Sequence, residues 1–153
     1  MNKEKNKGGY YGIGVYNIKT EMNLGTLWRS ADNFGASFIF TIGKRYKRQA
    51  SDTTKAYRHI PLYHYEDFND FNKNRPFDCK LVGIEQTNRA KDITEYNHPE
   101  RVIYLLGAED YGLPEKILDK CQDVVFIDTP KCLNVAVAGS IVMFSRNSHK
   151  RII

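Results

Sequence analysis

Ile127-Asp128-Thr129-Pro130-Lys131-Cys132-Leu133-Asn134-Val135-Ala136-Val137-Ala138-Gly139-Ser140-Ile141-Val142-Met143-Phe144 is the stretch on which the reading of the fold turns. It opens on the end of a β-branched run, Val124 to Ile127, whose shortness and flanking turn formers mark a buried strand. A short polar loop around Pro130 follows. From Asn134 to Ser148 the pattern is helical, small and apolar in its first half and polar at its end. Small side chains there let backbone approach backbone, within the chain or against a neighbouring subunit.

The same alternation extends upstream. Apolar, β-branched and aromatic runs at Tyr11 to Ile18, Ser37 to Ile42, Lys80 to Glu85 and Val102 to Gly107 read as short buried strands, with another at His59 to Tyr65. Leu24, Leu27, Trp28, Ala31 and Phe34 recur at spacings of three and four, which predicts a helix from Asn23 to Phe34 stopped by Gly35. Asn23 is placed to cap it. Glu66 to Asn72 and Pro114 to Cys121 are shorter helical candidates. Strands alternating with helices imply an α/β fold, a mostly parallel sheet flanked by helices. Such sheets bind ligands at the carboxyl ends of their strands. Here those ends are Gly43 onward, Glu85-Gln86-Thr87, Gly107-Ala108-Glu109 and Asp128-Thr129-Pro130.

The 153 residues suit a single domain over 10–153 behind a flexible basic lead-in over 1–9. No run approaches the ~18–20 apolar residues of a membrane span, so no membrane is expected. The cysteines (Cys79, Cys121, Cys132) are odd in number and form neither a CxxC pair nor a zinc-finger spacing, which argues against both a disulfide framework and a structural zinc site and points to a reducing cytoplasm. The net charge of +5 is compatible with nucleic acid. Its distribution says more. Lys44, Arg45, Lys47 and Arg48 surround Tyr46, with Lys55, Tyr57 and Arg58 close behind, and Arg146, His149, Lys150 and Arg151 cluster near the C-terminus. Such groups neutralise phosphates, and the aromatics among them can stack on unpaired bases.

Common catalytic signatures are missing. There is no GxGxxG after a strand, no GxxxxGK[ST], no HExxH and no GxSxG. Gly12-Ile13-Gly14 is too short for a dinucleotide fingerprint. His59, His64, His98 and His149 are scattered like loop or surface histidines, so no metal is expected. Three segments at strand or helix ends remain. The first, Asn23-Leu24-Gly25-Thr26-Leu27-Trp28-Arg29, carries an arginine off the apolar face, with a donor fork suited to phosphate. The second, Gly107-Ala108-Glu109-Asp110-Tyr111-Gly112-Leu113, places a carboxylate between two glycines that admit close approach of a ligand. The third is the opening stretch.

In this order the three segments resemble the motifs of the SpoU-type (TrmH-like) RNA 2′-O-ribose methyltransferases of the SPOUT superfamily. The family pattern runs roughly N-x-G-x-x-x-R, G-x-E-x-x-G-L, then I-P-x-x-x-x-x-S-L-N-V-S-x-A. The matching residues are Asn23, Gly25 and Arg29, then Gly107, Glu109, Gly112 and Leu113, then Ile127, Leu133, Asn134, Val135 and Ala138. Cys132 and Ala136 stand where the family has serines, and Pro130 is displaced from Ile127.

The resemblance implies a SPOUT α/β-knot, with the C-terminal part threaded into a deep trefoil, and an enzyme that transfers a methyl group from S-adenosylmethionine to a ribose 2′-hydroxyl of tRNA or rRNA. It places the methyl donor on three loops, with Glu85, Gln86 and Thr87, then Gly107, Glu109 and Gly112, then Ile127, Cys132 and Leu133 as binding residues. It gives Arg29 the catalytic role, supported by Asn23, Glu109 and Asn134, and implies a homodimer in which the partner subunit's arginine completes the site. Lys44, Arg45, Lys47, Arg48 and Arg58 are the expected RNA contacts. A knotted dimer that binds RNA or donor without catalysis, and a SPOUT enzyme that methylates a base nitrogen, fit the same motifs.

Overall fold

The computed structural model describes residues 9–43, 59–108 and 111–149. Its strands are β1 (Tyr10–Tyr16), β2 (Phe38–Ile42), β3 (Leu62–Tyr65), β4 (Lys80–Ile84), β5 (Lys91–Asp92), β6 (Arg101–Gly107) and β7 (Asp123–Phe126). They form one sheet in the order β3-β2-β1-β6-β4-β7-β5, each pairing parallel. The helices are α1 (Glu21–Phe34), α2 (Phe68–Asn74), α3 (Glu115–Leu118) and α4 (Val135–Ser148).

Two apolar layers cover the sheet, and the strands feed them alternately, as period-two side-chain direction requires. Val102, Tyr104 and Leu106 of β6 enter the layer shared with α1 and α4. Ile103 and Leu105 enter the opposite layer with Phe71 of α2 and Ile117 of α3. Gly12 and Gly14 find their use here. A Cβ at Gly14 would stand 2.5 Å from the Phe40 ring, so β1 omits side chains where β2 lays its aromatics. Phe40 in turn stacks on Phe71, with centroids 4.8 Å apart.

The expected elements are present, with differences at their ends. Helix α1 begins before Asn23, because Thr20 Oγ1 accepts the Asn23 amide at 3.2 Å and is the true cap. Gly35 ends that helix at φ 85°, in agreement with its expected role as the stop. The segment of β5 and the 3-10 turn Ile93–Glu95 have no counterpart among the expected elements, since two strand residues show no periodicity. Helix α3 is four residues long and stops at Leu118, short of Cys121.

A further correction concerns the C-terminal basic cluster. Arg146 is 1% exposed and His98 is 0% exposed, so neither is a surface group. The Arg146 guanidinium donates to Pro99 O and, at 2.8 Å, to Glu100 O, and it lies 4.7 Å from the centre of the Tyr11 ring. His98 bridges the Tyr104 hydroxyl at 2.7 Å and Ser145 Oγ at 3.0 Å. The end of α4 is thereby pinned to the segment before β6, and Arg146 is spent on carbonyls instead of phosphates.

Replacing Arg146 with Ala leaves buried carbonyls without donors and opens a void, and is expected to cost roughly 3 kcal/mol. Urea denaturation measures this; a change under about 0.5 kcal/mol, typical of surface positions, would contradict the pinning role.

Candidate functional site at the carboxyl ends of three strands

Where β4, β6 and β7 end, their following loops enclose a cleft of about 260 Å³. Its floor is apolar: Ile84, Leu106, Ile127, Leu133, Val135 and Ala138. Its polar lining comes from Glu85, Gln86 and Thr129, alongside Gly107, Ala108 and Gly112 of the middle loop. The carboxyl-end rule named three of the right loops. Gly43, the fourth strand end, is not among the lining residues.

The middle loop is built on a backbone crossing. A Cβ at Gly107 would overlap the Gly112 backbone and stand 2.7 Å from Leu113 N, so only glycine lets the chain pass over itself here. Gly112 sits at φ 62°, a left-handed conformation that glycine adopts without strain, and its amide donates to Ala108 O at 2.9 Å. Glu85 braces the crossing from the neighbouring loop. One carboxylate oxygen accepts the Leu113 amide at 2.7 Å and the other accepts the Gln86 amide at 3.1 Å. Glu85 therefore lines the cleft while its carboxylate holds the loops in register.

Beside the cleft, Asn134 caps α4, its Oδ1 accepting the amides of Ala136 at 2.9 Å and Val137 at 3.2 Å. Its Nδ2 donates to Asn23 Oδ1 at 2.9 Å, joining the first motif to the third. Gly139 continues the contact, since a Cβ there would stand 2.5 Å from Leu27 Cδ1. The small residues Ala136 and Gly139 thus serve packing within the chain. Arg29, on the same helix as Asn23, is half-buried and does not line the cleft of its own chain, and neither do Asn23 and Asn134.

Of the expected donor residues, Glu85, Gln86, Gly107, Gly112, Ile127, Cys132 and Leu133 converge on this one cleft. Thr87 does not; its carbonyl accepts the Ala90 amide at 3.0 Å in a turn leading away. Glu109 lies outside the described residues, as do Lys44, Arg45, Lys47, Arg48, Arg58, Lys150, Arg151 and the lead-in over 1–8. Tyr111, Thr129, Val135 and Ala138 line the cleft without being among the expected binding residues, although each lies inside a motif segment. The two departures from the family pattern also separate. Cys132 is exposed and lines the cleft, whereas Ala136 is 1% exposed in the core, where methyl packing replaces a hydroxyl.

The lining suits a ligand with one flat apolar part and one polar part: a largely buried aliphatic floor, polar residues on the surrounding loops, and a carboxylate occupied in bracing. Among the described residues no group of three or more His, Cys, Asp or Glu is arranged to hold a metal ion. The thiols differ sharply. Burial pushes Cys121 up to about 11 and raises Cys79 as well, which keeps both protonated near neutrality, whereas Cys132 is open to solvent.

Gly107→Ala must displace the 112–113 backbone, so a loss of roughly 2 kcal/mol or more is expected in urea denaturation, with a smaller loss for Ala138→Gly. Iodoacetamide at about pH 8 should alkylate Cys132 well ahead of Cys79 and Cys121, read by peptide mass spectrometry; equal labelling would contradict the burial described.

The comparison with known proteins agrees with this geometry. The SpoU rRNA Methylase family profile matches residues 11–144. The mouse (Mus musculus) protein tRNA (guanosine(18)-2'-O)-methyltransferase TARBP1 is 27% identical over 138 residues, covering 83% of this chain but 9% of its own length. An AdoMet-bound rRNA methyltransferase from Sinorhizobium meliloti superposes with a TM-score of 0.82 at 23% identity, over 93% of this chain and 57% of that one. The A. aeolicus TrmH/SpoU tRNA modifying enzyme gives a TM-score of 0.81 at 16% identity, over 93% of this chain and 76% of that one. This chain therefore spans a small part of the mouse relative and just over half of the Sinorhizobium chain. With a family match running from β1 to α4 and all three motif segments meeting at one cleft or its border, the chain belongs to the SpoU rRNA methylase family.

Proposed function

We propose that this chain is an S-adenosylmethionine-dependent RNA methyltransferase that modifies a ribose 2′-hydroxyl of tRNA or rRNA. The observation that carries this reading is the three-loop cleft at the ends of β4, β6 and β7, with its Gly107–Gly112 crossing and apolar floor. Support also comes from the relatives, one named as a tRNA 2′-O-methyltransferase and one solved with AdoMet. Ile84, Leu106, Leu133 and Ala138 would hold the adenine, and backbone groups of the loops its polar edges. The donor supplies a methyl group already activated by its sulfonium.

A ribose hydroxyl is a weak nucleophile, so the protein's task is alignment and relief of the negative charge developing on oxygen. Arg29 is assigned that charge-stabilising role and contact with the adjacent phosphate, which takes the proton; a guanidinium, cationic and without a lone pair to offer, is unfit as a base. Asn23 and Asn134 fix α1 against the start of α4 through their 2.9 Å hydrogen bond and so hold the donor loop to the arginine-bearing helix.

Because Arg29 does not line its own cleft, the reading includes a homodimer in which each subunit's arginine serves the other's cleft. The surface of α4 supports this: Val137 is 47% and Phe144 is 62% exposed, seven residues apart on one helix face, and Met22 of α1 is 66% exposed. The trefoil threading of the C-terminal run and a cytoplasmic setting belong to the same proposal. None of the helices is long and apolar enough to cross a membrane among the described residues.

Arg29→Ala is expected to abolish tritium transfer from S-adenosylmethionine to bulk RNA while calorimetry finds donor affinity within about twofold of the parent. Equal loss of both would remove Arg29 from the reaction. Neutralising Lys44, Arg45, Lys47 and Arg48 should weaken RNA binding and flatten its salt dependence, by about 0.9 in log–log slope for each phosphate no longer neutralised. An unchanged slope would move the RNA surface elsewhere.

A further inference from the structure

The lining of the cleft includes one large, exposed aromatic ring. Ile84, Leu106, Ala108 and Val135 are between 2% and 8% exposed, whereas Tyr111 is 87% exposed. Its ring lines the cleft yet stays open to solvent, so an entering acceptor can meet it. An exposed tyrosine is unremarkable by itself. This one, however, is followed directly by held backbone, with the Gly112 amide bonded to Ala108 O and the Leu113 amide bonded to Glu85 Oε2.

Lys19 Nζ lies 5.4 Å from the centre of the Tyr111 ring, within cation–π reach. The backbone on either side of Lys19 is held: two residues before it the Asn17 amide donates to Ile42 O at 2.9 Å, and directly after it Thr20 caps α1. A cation over one ring face leaves the other face for a second flat group. The pair therefore presents one aromatic surface and one ammonium, matching the two parts of a nucleotide: base and phosphate.

We propose that Tyr111 and Lys19 form the subsite that receives the acceptor nucleotide, the ring stacking on its base and the ammonium pairing with its phosphate. This deepens the reading of the cleft as an RNA 2′-O-methylation site and rests on it. It also specifies the acceptor. A ring can stack on a base only when that base is out of a duplex, so the target nucleotide is unpaired, in a loop, bulge or single strand.

The test compares the full-length protein with Tyr111→Ala, Tyr111→Phe and Lys19→Ala. Binding of a fluorescein-labelled RNA hairpin and of a fully duplex RNA of equal composition is read by anisotropy, and S-adenosylmethionine binding by calorimetry. Tyr111→Ala should weaken hairpin binding about tenfold, with Tyr111→Phe restoring it because the π face is kept. Donor affinity should stay within about twofold in all three variants. Lys19→Ala should reduce the salt slope for the hairpin by about 0.7, the single-strand value of one phosphate. The wild-type preference for hairpin over duplex should shrink in Tyr111→Ala. Unchanged hairpin binding, or failure of phenylalanine to rescue, would overturn the stacking role. A tenfold loss of donor affinity in Tyr111→Ala would assign the ring to the donor and likewise overturn it. If the wild-type chain binds the donor but neither RNA, the RNA reading of the whole site falls, and this subsite with it.

Discussion

Where β6 leaves the sheet, the backbone of Gly107 lies directly on the peptide joining Gly112 to Leu113, with no room for a side chain between them. This contact sets the height of the middle loop, and the rest of the cleft is arranged around it. The Glu85 carboxylate ties the crossing to the loop after β4 by accepting the Leu113 and Gln86 amides. The loop after β7 then closes the third side and passes straight into α4, whose cap Asn134 is bonded to Asn23. A pocket made this way is backbone-rich and preformed, because the chain's own crossings fix it, not flexible side chains.

The family's short motifs thus divide by physical task. Gly107, Gly112, Ile127, Cys132 and Leu133 shape the cleft itself. Asn23 and Asn134 join helices beside it, and Gly139 lets those helices close together against Leu27. At the far end of α4, Arg146, His98, Ser145 and Tyr104 form a buried polar cluster that holds the helix to the segment before β6. Helix α4 is therefore fixed at both ends, by a side-chain cap at the cleft and by a buried guanidinium at the other. A buried arginine is costly to desolvate, and here carbonyl acceptors and the Tyr11 ring offset that cost.

Much of this is legible in the residues. Strand and helix periodicity imply the parallel α/β layout, and the strand-end rule with the glycine-bearing segments locates the cleft. What cannot be read there depends on contacts between distant residues. Arg146 resembles its neighbours Lys150 and Arg151, since a basic residue near a polar helix end carries no sign of the Pro99 and Glu100 carbonyls that enclose it. Thr20 escapes notice as a cap because the apolar spacing begins only at Leu24. Glu85 reads as a ligand contact, and only the structure reveals that both its oxygens meet backbone amides. Gly12 and Gly14 are too short a motif for a nucleotide loop, but their partnership with Phe38 and Phe40 needs the β1–β2 register to appear.

The central proposal is that the cleft delivers a methyl group to ribose. The direct measurement is to incubate the protein with methyl-labelled S-adenosylmethionine and unmodified tRNA and rRNA, digest the RNA to nucleosides, and locate the label by mass spectrometry. A 2′-O-methyl nucleoside, with the label on the sugar fragment, is the predicted product. Label on the base fragment, or donor binding with no label in any nucleoside, would contradict it.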